Sequence, residues 1–97
     1  MPHIRIEVLV DGPLMPRITA LAEAAGVTRH MVLPTLGGLG EHGRWRRDEV
    51  TGTTAKQLFV AVLPAPRAEA LLGALAPLEA SHDLLIITSA ATIIAQP

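Results

Sequence analysis

The chain of 97 residues is expected to fold as one α+β domain whose elements run strand, helix, strand, strand, helix, strand. Three observations lead there. The first residues alternate apolar and polar side chains at a period of two. Two later stretches repeat apolar residues at helical spacing. Each of those stretches is flanked on both sides by an apolar run of strand composition.

Ile4, Ile6, Val8 and Val10 alternate with His3, Arg5 and Glu7, the pattern of a strand with one buried face, and Asp11-Gly12-Pro13 ends it. Leu14, Ile18, Leu21, Ala22 and Ala25 recur at helical spacing, and Gly26 is a natural C-terminal stop. Residues 27–35 form the second predicted strand, with Pro34 marking an edge or a bend. Residues 55–63 form the third, through Leu58-Phe59-Val60-Ala61-Val62-Leu63. Pro66 suits a helix start, and Ala68, Leu71, Leu72, Leu75 and Leu78 form the buried stripe of a second helix that Pro77 should kink or end. Residues 84–95 form the last strand, as one piece or as two short pieces divided near Ser89-Ala90.

Two interleaved βαβ units with right-handed crossovers give a ferredoxin-like βαββαβ fold, a four-stranded antiparallel sheet with both helices on one face. The other face of such a sheet is bare, so its strands should alternate apolar with polar. The third and fourth strands are instead apolar on both faces, which predicts that the second face is also covered, by neighbouring subunits in a closed homo-oligomer or, as the competing reading, by the chain's own long loop.

Almost half the residues are apolar, yet there is no Tyr, one Phe and one Trp, so the core must be built from aliphatic side chains. A net charge of −1 argues against a nucleic-acid binder, and the strands offer only Phe59 for base stacking. The absence of Cys excludes disulfides and thiolate metal sites, and the absence of Asn excludes the catalytic residue of an acylphosphatase. No basic-then-apolar leader and no apolar run of membrane-spanning length is present. A cytoplasmic protein without direct membrane insertion is the expectation. No serine elbow, paired-carboxylate motif or Walker loop occurs, and Ser81-His82-Asp83 reads as a turn, so an enzyme is not expected.

Residues 36–54, between the second and third strands, form a connection several times longer than adjacent strands need. They hold the only Trp and three of the eight basic residues. Gly38-Leu39-Gly40 and Gly43-Arg44 let backbone N–H groups approach an anion, with Arg44 or Lys56 supplying charge. Trp45, flanked by Arg44, Arg46 and Arg47, has the composition of a partner-binding tip. Glu41, Asp48 and Glu49 balance those arginines, so a solvated mixed-charge loop is the competing reading. His42 beside Glu41 could contribute to a metal site shared between subunits.

Taken together, the chain resembles the PII-like signalling proteins over nearly its whole length in element order. The matching residues are His30-Met31-Val32-Leu33 leading into Gly38-Leu39-Gly40, similar to the family's strand ending in Gly-Phe-Gly, and Val62-Leu63-Pro64, similar to its strand ending in Val-Pro. The resemblance implies a single-domain homotrimer, residues 1–97, whose T-loop (about 36–54) docks onto transporters or enzymes, here a membrane transporter or its cytoplasmic face, or an inorganic-carbon partner. It implies an adenine nucleotide (ADP, AMP or ATP) in the cleft between subunits, with Met31 and Val32 near the base, Gly38 and Gly40 near the phosphates and Leu63 at the pocket edge. Short relatives associated with inorganic carbon add bicarbonate as an effector. The departures are the missing Tyr, which excludes T-loop uridylylation, His42 where nitrogen-sensing members carry a Gln, and Ala80-Ser81-His82-Asp83 where they carry a Gly- and Lys-rich loop. The alternative is a metal-responsive module resembling the CutA branch of this architecture, using His42 and Glu41 across subunits.

Overall fold

In the computed structural model of the chain, the structure describes residues 2–40, 43–46 and 55–94. Strand β1 (His3–Asp11) leads through one 3-10 turn (Gly12–Leu14) into helix α1 (Met15–Ala24). Strand β2 (Met31–Pro34), a hairpin of β3 (Gly37–Gly40) and β4 (Gly43–Arg46), strand β5 (Lys56–Pro64), helix α2 (Ala65–Ser81) and strand β6 (Leu85–Ala91) follow. The main sheet has the order β2-β5-β1-β6, and every pairing in it is antiparallel. The predicted βαββαβ fold is present, with a second, two-stranded sheet added between β2 and β5.

The period-two pattern of β1 decides which face is buried. Ile6, Val8 and Val10 are fully buried, and Ala61 and Phe59 stand opposite Ile6 and Val8 on the same face. Against them pack Met15, Ile18 and Ala22 of α1 and Ala68, Leu71, Leu75 and Leu78 of α2. Phe59 is the largest fully buried side chain, and His30 stacks on its ring with centroids 5.3 Å apart. Helix α1 stops at a Schellman motif: the Gly26 N–H donates to Glu23 O and the Val27 N–H to Ala22 O. Gly26 there has φ +87°, a conformation that side-chain-bearing residues rarely adopt.

The structure refines three sequence expectations. The second strand begins at Met31 rather than at residue 27, because the Schellman turn uses Val27, which is buried as part of the core. Helix α2 continues through Pro77 to Ser81, so of the two effects expected of that proline the end of the helix is not found. Pro77 and Gly73, whose carbonyl the proline leaves without its helical donor, are both exposed, so water can serve that oxygen. The last strand is one piece, with Ser89 and Ala90 inside it.

The sheet face away from the helices is apolar on three strands. Met31 and Leu33 on β2, and Leu85 and Ile87 on β6, are all exposed there. Among the described residues, no helix is long and apolar enough to cross a membrane.

Candidate functional site

The hairpin inside the long connection is built on close backbone approach. Gly38 stands opposite Trp45, and a Cβ added at Gly38 would lie 2.5 Å from an indole carbon, so the ring occupies the space a side chain would need. Gly43, the first residue of β4, has φ +110°, a conformation that favours glycine. The indole is 8% exposed. Its Nε1–H donates to Thr35 Oγ1 at 2.9 Å, and the Thr35 hydroxyl donates to the Lys56 carbonyl at 2.7 Å. A relay of two hydrogen bonds thus ties β4 to the start of β5.

The Lys56 side chain, 11% exposed, lies at the centre of this end of the sheet. Its ammonium donates to Asp11 Oδ1 at 2.9 Å and to Asp83 Oδ2 at 3.4 Å, and it sits 5.8 Å from the centroid of the Trp45 ring. Asp11 stands directly opposite Lys56 in the β1–β5 ladder, whereas Asp83 belongs to the short connection between α2 and β6. A half-open cleft of about 420 Å³ adjoins the cluster, with Leu9, Leu39, Leu84 and Leu85 as apolar walls and Gly40, Lys56 and Asp83 as its polar part.

Of the residues singled out from the sequence, Gly38, Gly40, Trp45 and Lys56 come together here. Trp45 is packed inward rather than presented at an exposed tip, because the side-chain-free surface of β3 receives its ring. Arg44 and Arg46 flank it on β4 and are exposed. Met31 and Val32 lie on β2, and Met31 lines a separate slot of about 280 Å³ with Arg29, His30 and Val60. Leu63 is buried in the core near the far end of β5, not at the edge of this cleft. Arg47, Glu41 and His42 fall outside the described residues. Among the described residues, no group of three or more His, Cys, Asp or Glu side chains could hold a metal ion. Ser81 is the last residue of α2, and His82 and Asp83 belong to its connection to β6: Ser81 Oγ bonds Pro77 O and His82 Nδ1, and Asp83 pairs with Lys56. Thr35, Asp11 and Asp83 are the site residues that sequence reasoning missed. The available signal was register, which sets opposite charges, Asp11 and Lys56, across from one another.

Comparison with solved structures places this architecture. CPII, a nitrogen regulatory PII-like protein from Thiomonas intermedia K12 bound to ADP, AMP and bicarbonate, superposes with a TM-score of 0.87 at 21% identity, over 96% of this chain and 89% of that one. The fold is that of the PII-like proteins. A protein of Thermus thermophilus assigned to PII-like signalling superposes at TM-score 0.81 and 14% identity, over 97% of this chain and 91% of that one. The CutA1 protein of Oryza sativa matches this PII-like fold less well, at TM-score 0.65 and 16% identity, over 96% of this chain and 83% of that one. No protein-family model matches the chain, and no curated protein matches it at the sequence level.

Proposed function

We propose that the chain is a PII-like regulatory protein that senses a small effector, an adenine nucleotide, bicarbonate or both, and passes the signal to a partner through the segment between β2 and β5. The observation that carries this reading is the Trp45–Thr35–Lys56 relay, which joins that segment to the wall of the 420 Å³ cleft. A ligand touching Lys56 therefore acts on the residue that anchors the hairpin. The likeness to CPII, a protein seen with ADP, AMP and bicarbonate, supports the choice of effectors.

In this reading Lys56, Gly40 and Arg44 meet the anionic part of the effector beside Gly38. The base lies toward Met31 and Val32 in a cleft completed by a second subunit of a homotrimer. Arg44, Arg46 and Arg47 form the electrostatic contacts to a transporter at its cytoplasmic face. Trp45 contributes to that surface by holding the hairpin in shape.

The test is thermal unfolding of the purified protein with ADP, AMP, ATP and bicarbonate, with Trp45 emission followed in parallel. A ligand at one hundred times its dissociation constant stabilises the native state by about 2.7 kcal/mol. Stabilisation with a change in Trp45 emission supports the sensor. A response to Cu²⁺ or Zn²⁺ alone, lost in His42→Ala, would favour the CutA-like reading that the weaker CutA1 match also allows.

A further inference from the structure

We propose that Asp83 occupies the place of an anionic effector at Lys56, so that the cleft is self-inhibited until a small carboxylate-like oxyanion displaces it. The proposal rests on the sensor reading and adds the regulation of that site. Lys56 is one ammonium held by two carboxylates, which leaves the cluster with an excess negative charge that an incoming anion must face. The two carboxylates are not equivalent. Asp11 is fixed by the β1–β5 ladder directly across from Lys56 and bonds at 2.9 Å. Asp83 reaches Lys56 at 3.4 Å from the connection between Ser81 and Leu85, and of the two aspartates it alone lines the cleft.

A planar oxyanion that takes the place of the Asp83 carboxylate keeps the charge count around Nζ unchanged and retains the shorter Asp11 bond. What changes is the α2–β6 connection, which loses its tie to β5. Lys56 remains joined through its carbonyl and Thr35 to Trp45, so the exchange is read at the indole. Leu9, Leu39, Leu84 and Leu85 keep the cleft apolar around the exchange, which strengthens charge-assisted bonds made there.

The experiment titrates wild type, Asp83→Asn and Lys56→Gln with sodium bicarbonate and, separately, sodium acetate, reading Trp45 emission, with sodium chloride as the ionic-strength control. Removing a like charge next to the ligand should tighten binding of either oxyanion to Asp83→Asn by about tenfold or more. Lys56→Gln should bind neither. Melting curves establish that each variant is folded, and Asp83→Ser carries the same expectation should the Asn variant fail to fold. A folded Asp83 variant that binds bicarbonate and acetate no tighter than wild type overturns self-inhibition, and the sensor reading stands if wild type still responds to bicarbonate or nucleotide. Silence of both wild type and Asp83→Asn toward both oxyanions also overturns it, and the nucleotide titration then decides the sensor reading separately.

Discussion

The indole of Trp45 lies against the backbone of Gly38, so closely that a methyl group there would meet ring carbons at 2.5 and 2.8 Å. That contact explains how a strand of sequence Gly-Gly-Leu-Gly, which has almost no side chains to pack, holds a defined place. Glycine usually weakens a strand. Here its missing side chain makes room for the one Trp of the chain.

Gly38→Ala should therefore dislodge the indole. The expected outcome is red-shifted Trp45 emission and a loss of stability of about 1–3 kcal/mol, the usual cost of overpacking a filled site. Fluorescence and urea unfolding measure both. Unshifted emission in a folded variant would show that the ring does not rest on this glycine.

Thr35→Val tests the relay from the other side. It keeps the shape of the side chain but removes the acceptor of the Trp45 N–H and the donor to the Lys56 carbonyl. A buried N–H left without a partner costs about 1–3 kcal/mol. Hydrogen exchange should quicken at the Trp45 indole N–H and in β3 and β4 while β1 stays protected, because the fault lies outside the main core.

Phe59→Ala addresses that core. The ring is fully buried on β5, faces Val8 and stacks on His30. Truncation should cost about 3–5 kcal/mol, of which part is the residual cavity. In a domain of this size that is a large share of the total stability, so the urea midpoint should fall sharply.

The sequence made the fold legible where one periodicity met one environment. Ile6, Val8 and Val10 alternate because a single face of β1 meets the helices, and Leu71, Leu75 and Leu78 recur because a single stripe of α2 meets the sheet. It was less legible where a residue served two purposes. Val27 has strand composition, but it closes the turn after α1. Pro77 has the chemistry of a helix stop, but its exposed position lets the helix pass. The hairpin was hidden because glycines read as loop, and the reason for them, the Trp45 ring, is a cross-strand contact without a local signature. Asp83 looked like a turn residue and became a site residue only through tertiary packing, which brings the α2–β6 connection to the start of β5.

The exposed sheet face supplies the last expectation. Leu85 and Ile87 project from β6 at 53% and 48% exposure, and register sets Leu85 opposite Leu9 and Ile87 opposite Glu7. On the neighbouring strand Leu58, Val60 and Val62 stand across from Leu9, Glu7 and Arg5, and Met31 and Leu33 continue the surface on β2. The charges on this face that belong to β1 pair with each other, Arg5 Nε to Glu7 Oε1 at 2.8 Å, so association need not leave either without a partner. A contiguous apolar surface of this kind is normally covered in solution. Wild type should therefore run as an oligomer, with three chains expected, in light scattering at micromolar concentration. Leu85→Glu combined with Ile87→Glu should run as a monomer with unchanged helical circular dichroism, because both positions lie on the face away from the helices. A monomeric wild type, or a double variant that keeps the wild-type mass, would show that this face is not the contact between copies.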